Sequence, residues 1–117
     1  MALDPAAQPL LGEVEQLVLL AVLRLGGEGY AVPIRDLIST EAGVELSRGT
    51  IYVTLERLER KGYVNSWFSD PQAVRGGKAR RIFQLKPAGL QAVRTAKRAV
   101  DRLSAGTVLA RPAKGLA

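Results

Sequence analysis

An uninterrupted run of seven apolar residues, 17–23, lies near the start of the chain. Glutamates precede the run and two glycines follow it, which predicts a helix over residues 12–25. A membrane-spanning helix needs roughly 20 such residues, so no membrane segment is expected. A helix that is apolar on every side must be covered on more than one face. In so small a protein, we expect a second subunit to provide part of this cover.

Two more helices are predicted before the middle of the chain. Residues 26–29 contain three glycines and are interpreted as a turn. Apolar residues at helical spacing then predict a second helix over residues 32–42, with Gly43 as its stop. Ser47 can cap a third helix that runs to about Lys61. The apolar face of this third helix leaves its other sides polar and available for contacts.

A hairpin and a fourth helix are predicted in the second half of the chain. Residues 63–69 and 80–86 are short runs rich in aromatic and β-branched residues, and turn-forming residues separate them. This pattern predicts an antiparallel hairpin with a long basic tip. Pro87 at a first helical position opens a fourth helix that extends to about residue 105. A lone monomer of this size has little left to cover its apolar stripe, so a second subunit is expected there.

The order of these elements, three helices followed by a two-stranded hairpin, is that of a winged helix-turn-helix. The expected fold class is mainly α with a small antiparallel β-hairpin and a C-terminal dimerisation helix. The corresponding boundaries are a flexible arm at 1–11, the winged helix-turn-helix domain at 12–86, the dimerisation helix at 87–105 and a disordered tail at 106–117.

The chain of 117 residues contains neither His nor Cys. Their absence removes the commonest general base, the commonest transition-metal ligand and every thiol nucleophile. An enzyme, a metal site or a cofactor is therefore not expected. The lack of Cys also fits a reducing cytoplasm as the location, and the first residues lack the basic region of a secretory signal.

Charge is distributed unevenly along the chain, whose formal net charge is +6. Residues 1–46 carry a net charge of −5, residues 47–86 carry +6 and the remainder carries +5. A cation-rich second half predicts a polyanionic partner, and the phosphates of nucleic acid are the usual one. The alternative is a solvated basic surface that maintains solubility.

The third helix and the hairpin tip carry groups suited to duplex DNA. An α-helix fits the major groove, and residues near its N-terminus reach deepest. Polar side chains there can donate to phosphates or bases, Val53 can contact a thymine methyl group, and a glycine lets the backbone approach closely. The candidate DNA-contacting residues are Ser47, Arg48, Gly49, Thr50, Tyr52, Val53 and Arg57 in the helix, and Arg75, Gly77, Lys78, Arg80 and Arg81 in the hairpin.

Structural alternatives exist for several of these side chains. Tyr52 could pack in the core instead of facing DNA, and the hairpin tip could simply be solvated. Glu56 and Glu59 are expected to pair with Arg60 and its neighbours along the helix rather than to read cytosines. Trp67, in the first β-prone run, is expected to pack against the other aromatic residues of the hairpin.

Two stretches resemble the PadR-like family of transcriptional regulators. Residues 47–64 read SRGTIYVTLERLERKGYV and look like the recognition helix of that family. Residues 76–89 read GGKARRIFQLKPAG and look like its wing, with a Gly-basic start and a Pro-x-Gly entry to the last helix. Together with residues 11–25, the resemblance spans about residues 10–105.

The resemblance implies a homodimeric repressor that binds a palindromic operator in double-stranded DNA through paired recognition helices and wings. Some family members release DNA on sensing phenolic acids or lipophilic cations, which adds a small apolar or aromatic effector to the partners considered. Thr50 and Tyr52 match the family's groove-facing pair, whereas Lys86 stands where Ser or Thr usually caps the last helix. The wing matches at Gly77, Lys78, Arg80 and Arg81. The last helix, helped by the first, would form the interface, through Leu17, Leu20, Leu90, Val93, Ala96, Val100 and Leu103.

Two other binding functions stay open on the sequence alone. A winged-helix protein-interaction module, without sequence-specific DNA binding, would direct its basic wing at an acidic protein. An RNA binder is disfavoured, because the major groove of A-form RNA is too narrow for side chains to read.

Overall fold

Four α-helices and a three-stranded sheet form the part of the chain that the structure describes. The structure is a computed structural model that describes residues 10–70 and 78–110. Its order confirms the predicted class, mainly α with a small antiparallel sheet. The elements are α1 (Glu13–Arg24), β1 (Glu28–Gly29), α2 (Ala31–Leu37), a π-helical segment (Ile38–Ala42), α3 (Arg48–Arg60), β2 (Val64–Phe68), β3 (Arg81–Leu85) and α4 (Pro87–Ser104).

The sheet has the strand order β1-β3-β2, and both pairings are antiparallel. In the predicted hairpin, Val64 pairs with Leu85 and Phe68 pairs with Arg81. The interpretation of residues 26–29 as a turn alone is wrong, because Glu28 and its neighbour pair with the free edge of β3. Two residues are too short a strand to leave an alternating pattern, so only the docked sheet reveals β1.

The second predicted helix changes character halfway along. It begins as α2 and continues as the π-helical segment, which ends at Gly43 with a φ of 69°. The Ser39 hydroxyl donates to Glu45 at 2.6 Å, and Glu41 pairs with Arg24 at the end of α1 at 2.9 Å. Both contacts are made with residues outside the helix. The helical spacing of apolar residues in the sequence does not predict them. The predicted stop at Gly43 is confirmed.

The core is built around α1, the helix that contains the apolar run. Val18, Leu19 and Val22 are fully buried, and α1 contacts α2, α3, α4 and β3. Leu17 is partly buried, whereas Leu20 and Leu23 are 42% and 40% exposed. One chain therefore covers part of this helix, and cover of the rest by a second subunit stays a prediction. The other buried apolar residues are Leu11, Ala21, Ala31, Ile34, Ile38, Ile51, Leu55, Leu58, Val64, Phe83, Val93 and Ala96.

The apolar stripe of α4 is divided between the core and the surface. Val93 and Ala96 are buried within the same chain, whereas Val100 is 58% exposed and Leu103 is 85% exposed. Leu90 is partly buried. The expectation that a lone monomer cannot cover this stripe is therefore corrected for its first half, where α1 provides the cover. Val93 and Ala96 are therefore not available for contact with a second subunit.

The start of α4 lies against the end of α3. Lys86 precedes the helix without a side-chain capping bond, as predicted, and its amide donates to the carbonyl of Tyr63 at 2.9 Å. A Cβ atom on Gly89 would lie 2.3 Å from that same carbonyl oxygen. Only a residue without a side chain allows this approach, so Gly89 sets how closely α4 can pack.

The two ends of the described chain are more ordered than the predicted arm and tail. Leu11 is buried, and its carbonyl accepts a hydrogen bond from the Gln16 side chain at 3.0 Å. After α4, Thr107 and Ala110 close successive hydrogen-bonded turns. Residues 106–110 thus form hydrogen-bonded turns, while the rest of the predicted tail, 111–117, and residues 1–9 of the arm lie outside the described residues.

Candidate nucleic-acid interface

The start of α3 is held by its own side chains. Ser47 precedes the helix with extended backbone, and its Oγ accepts a hydrogen bond from the Thr50 amide at 3.0 Å. The Ser47 hydroxyl also donates to Thr50 Oγ1 at 2.9 Å. The predicted cap is confirmed. Both hydroxyls lie on the exposed end of the helix, where partial positive charge from the backbone favours an anion.

One side of α3 beyond the cap is exposed and borders a depression whose lining contains no carboxylate. Gly49, Thr50, Val53 and Arg57 follow one another around the helix, and Val53 is 52% exposed. With Val14 at the start of α1, they border a shallow depression of about 410 Å³. Ser47 borders the same depression, so the structure places five of the seven candidate helix residues on one continuous surface, which we call the groove face.

The other candidate residues of α3 face the wing. Arg48 and Tyr52 border a second depression, of about 390 Å³, opposite Lys78 and Arg80. Tyr52 is partly buried, and its ring meets the Phe83 ring edge-on at 6.3 Å between centroids. The ring of Tyr52 therefore packs on the sheet, and its remaining surface lines this depression, which we call the wing cleft; its contact with DNA stays a prediction.

The base of the wing is fixed by backbone and ring contacts. Arg80 and Ser69 exchange two hydrogen bonds, from the Ser69 amide to the Arg80 carbonyl at 2.8 Å and from the Arg80 amide to Ser69 Oγ at 2.9 Å. The Arg80 guanidinium lies over the ring of Tyr30, 4.4 Å from its centroid. Of the predicted wing residues, Arg75 and Gly77 lie outside the described residues.

Arg81 has a different environment from the other wing cations. Its guanidinium pairs with Glu56 at 3.1 Å and with Glu59 at 2.8 Å, and it also donates to Ser66 Oγ at 3.2 Å. It further lies 5.0 Å from the centroid of the Phe83 ring. Arg81 therefore neutralises the two carboxylates of α3 and attaches β3 to that helix, instead of projecting as a free cation.

This pairing corrects the expected partner of Glu56 and Glu59. They were expected to pair with Arg60 and its neighbours along the helix, but the hairpin folds back across the C-terminal half of α3 and brings Arg81 between them. The two carboxylates are three residues apart and so lie on one face of the helix. This spacing in the sequence indicates that one cation could pair with both carboxylates. It does not indicate that the cation comes from a distant strand.

Sequence reasoning missed Tyr30 and misplaced Trp67. Tyr30 is the residue before α2 and the sole aromatic residue among the first 46, where no periodic pattern accounts for it. The presence of a single aromatic residue in this stretch was the sequence signal that could have identified Tyr30. Trp67 pairs across the sheet with Ile82 rather than with an aromatic residue, and it stays 39% exposed beside the 68% exposed Phe68.

Neither a metal-ligand cluster nor a membrane-spanning helix is found in the described residues. No group of three His, Cys, Asp or Glu side chains within them could hold a metal ion. None of the helices in ranges 10–70 and 78–110 has the length and apolar character needed to cross a membrane.

Comparison with known sequences identifies relatives for more than half of the chain. A family model described as "Transcriptional regulator PadR-like family" matches residues 19–95. The transcriptional regulator Rv3488 of Mycobacterium tuberculosis is 40% identical over 62 residues. The aligned region covers 53% of this chain and 54% of that relative, so the similarity spans about half of the relative's length.

Solved structures with the same fold include a transcription regulator and a winged-helix DNA-binding protein. A PadR family transcription regulator from Clostridium difficile R20291 aligns with a TM-score of 0.66 at 22% identity, over 80% of this chain and 95% of its own. F93 from STIV, described as a winged-helix DNA-binding protein, aligns with a TM-score of 0.59 at 10% identity, over 82% and 92%. At such low identities the likeness establishes the winged-helix fold.

Proposed function

The chain belongs to the PadR-like family of transcriptional regulators, a family of regulators and not of enzymes, and on that premise we propose that it is a homodimeric repressor of a palindromic DNA operator. The observation that carries the proposal is the groove face of α3. The residues that line this surface are exposed and include no carboxylate. The neighbouring Glu56, three residues after Val53, is neutralised together with Glu59 by Arg81. A helix that presents hydroxyl, methyl and guanidinium groups beside neutralised carboxylates suits the major groove.

The groove face and the wing would have different roles in DNA recognition. Thr50 and Val53 reach base edges, with Val53 against a thymine methyl group, while Arg57 pairs with a backbone phosphate. Lys78 and Arg80 at the wing base approach flanking phosphates, which supply affinity without sequence preference. The wing tip, including Arg75 and Gly77, extends the same contacts. The reducing cytoplasm is the proposed place of action.

Dimerisation is supported by the uncovered half of the α4 stripe. Val100 and Leu103 continue the line of Val93 and Ala96 beyond the point where the core ends. Val108 and Leu109 in the following turns add further exposed apolar surface. We propose that α4 of a second copy covers this surface, assisted by Leu20 on α1. Two recognition helices about 34 Å apart would then meet successive major-groove faces of a palindrome.

Selection of bound sequences from a random pool of duplex DNA tests the proposal. A palindrome with two half-sites about one helical turn apart is the expected result, and it reports the operator and the symmetry together. Enrichment of an asymmetric sequence would contradict the paired recognition helices. Repression is tested separately by placing the selected sequence in a promoter and measuring transcription with and without the protein.

A protein-interaction module is the second candidate, favoured by the exposed aromatic side chains of β2. Trp67 and Phe68 lie on an edge strand of the sheet, where another chain could add. Binding to random duplex DNA at low salt separates the two candidates. The repressor must bind such DNA through its cations, whereas the module need not.

A small apolar or aromatic effector is included in the proposal as the signal that releases DNA. A groove of about 270 Å³ between Leu10, Leu11 and the first turns of α4 is mostly apolar and has the size of a small planar molecule. Titration of phenolic acids and lipophilic cations into the DNA complex tests this part. The expected effector lowers DNA affinity and raises the melting temperature of the free protein.

A further inference from the structure

The wing cleft joins three segments that are distant in sequence. Arg48 begins α3, Tyr30 precedes α2, and Lys78 and Arg80 lie just before β3. The contact between Arg80 and Tyr30 is the link between the helical part and the wing at this point. Because Ser69 holds the Arg80 backbone from the other strand, the stacked guanidinium starts from a fixed position.

The charge of the wing cleft is uncompensated. Arg48, Lys78 and Arg80 all border it, and its other lining residues are tyrosines and small apolar residues without a carboxylate. In the described part of the chain, these three cations form no ion pair, unlike Arg81, which pairs with Glu56 and Glu59. Three unpaired cations around one concave surface repel one another, so an anion bound there is stabilised by each of them.

Tyr30 prepares Arg80 for such an anion. A guanidinium that lies on an aromatic face keeps its N–H edge free, and this edge can donate two parallel hydrogen bonds to a phosphate. The ring also restricts the side chain before binding, which lowers the entropy lost when the complex forms. Neither effect depends on the identity of a base.

We propose that the wing cleft holds one backbone phosphate of duplex DNA, bound by Arg48, Lys78 and Arg80, and that Tyr30 is the positioning residue for Arg80. The inference rests on the proposed function, because it identifies the point at which the wing and α3 contact the same DNA strand. It also gives the unassigned aromatic residue of the first half a role. The contact is independent of sequence and sets the register of α3 in the groove.

Two substitutions at Tyr30 isolate the positioning role. Tyr30→Leu removes the aromatic face, and Tyr30→Phe keeps it while removing the hydroxyl. We expect Tyr30→Leu to weaken binding of a selected operator about two- to fivefold, the range of exposed cation–π contacts, and Tyr30→Phe to bind like the parent. Thermal melting of the free proteins accompanies both measurements, so that a loss of folding is recognised and excluded.

A double-mutant cycle separates positioning from a structural role. Arg80→Ala is expected to reduce the slope of log affinity against log salt by about 0.9, the loss of one phosphate contact. Tyr30→Leu should have no further effect on affinity in the Arg80→Ala background, because the ring acts through that guanidinium. Equal effects of Tyr30→Leu in both backgrounds would overturn the positioning role.

The source of the phosphate is identified with modified DNA. Uncharged methylphosphonate groups replace single phosphates along the operator, and one position should abolish the difference between the parent and Arg80→Ala. A difference that persists at every position would overturn the single-phosphate site. Inorganic phosphate, titrated into the free protein at millimolar concentration, should compete weakly with DNA; tight binding of it would instead indicate a site for a free anion. If the parent binds no duplex DNA at all, the proposed function itself fails.

Discussion

No contact within the chain explains why residue 49, which lies in a helix, is a glycine. A Cβ atom there would meet nothing closer than Ser47 Oγ at 3.8 Å, an ordinary contact. The structure therefore has room for a side chain, and the helix would gain from one. An approach by a partner outside the chain would account for the glycine, and under the proposed function that partner is the DNA backbone or a base edge.

Gly49→Ala is predicted to separate stability from DNA binding. Its free energy of unfolding should equal the parent's or rise by up to about 1 kcal/mol, because alanine favours the helix. Operator affinity should fall about tenfold, as a methyl group forced into a close contact costs on the order of 1–3 kcal/mol. Chemical denaturation and fluorescence anisotropy measure the two quantities. Unchanged affinity would show that DNA does not approach this backbone.

Arg81 was predicted from the sequence as a phosphate contact, and the structure suggests a different test of its contribution. If it acts by neutralising Glu56 and Glu59, Arg81→Ala weakens DNA binding by leaving two carboxylates beside the groove face. Adding Glu56→Gln and Glu59→Gln to Arg81→Ala should then recover most of the affinity. A direct phosphate contact predicts no recovery. Salt titration of DNA binding by all three proteins measures the difference, which should be largest at low ionic strength.

Among the elements, α4 depends most on a single close approach. The amide of Lys86 and the Cα of Gly89 both lie against the Tyr63 carbonyl, so the helix begins where α3 ends. Leu85 is also within 2.8 Å of a Cβ built at Gly89. The contact involves backbone on one side and cannot be relieved by rotating a side chain.

Gly89→Ala is predicted to destabilise the protein. Moving α4 away from Tyr63 disturbs the packing of Val93 and Ala96, and overpacking of this kind costs about 1–3 kcal/mol. Denaturant unfolding measures the loss. Gly49→Ala is the matched control, since it makes the same change in a helix where the space is open. Equal stabilities of the two variants would contradict the close approach.

The packing of α1 on α3 includes one partly buried ion pair. Glu15 accepts a hydrogen bond from Lys61 Nζ at 2.7 Å and another from the Gly12 amide at 2.9 Å. Burial by itself raises the pKa of Glu15, but these hydrogen bonds and the charges of Lys61 and Arg57 lower it, for a net pKa below the ordinary value of 4.5. The ionised carboxylate is thus favoured in the folded state.

Acid is predicted to remove this contribution. Because the folded-state pKa lies below the unfolded one, the ionised form stabilises the fold above about pH 4.5, and the effect is lost as the pH falls through the folded-state pKa. Glu15→Gln should therefore be less stable than the parent at pH 7, and the gap should shrink below pH 4.5. Urea unfolding between pH 7 and pH 3 measures it. A gap that stays constant over this range would exclude the linkage.

At the scale of the whole molecule, the uncovered end of α4 is the surface through which the proposed dimer would form. Its apolar side chains lie beyond the core, where a monomer leaves them in water. A second copy placed there would pair two groove faces, and each recognition helix would then raise the local concentration of the other.

Leu103→Glu is predicted to abolish the dimer and to spare the monomer fold, because the side chain is 85% exposed in one chain. Sedimentation should show half the parent mass. Affinity for a palindromic operator should fall by about 100-fold or more, the range that linked binding sites provide. Gln91→Glu adds the same charge to another exposed position of α4 and is the control. A dimeric Leu103→Glu protein would place the interface elsewhere.

Local sequence determined the helices, the hairpin and the uneven charge of this protein. Apolar spacing, the Ser47 cap and the glycine stops act between residues a few positions apart, and these interactions are present in the sequence itself. The resemblance to one family also rested on two such continuous stretches. These signals were sufficient for the fold class and for the surface of α3.

The tertiary structure alone decided which of these groups meet. Arg81 neutralises Glu56 and Glu59, Arg80 stacks on Tyr30, and β1 exists because an edge of β3 is open to it. It also decided that the first half of the α4 stripe is core and the second half surface. Each of these outcomes joins residues more than twenty positions apart or depends on where a neighbouring element ends. Such contacts arise from the packing of elements against one another, which no local pattern of apolar and charged residues specifies.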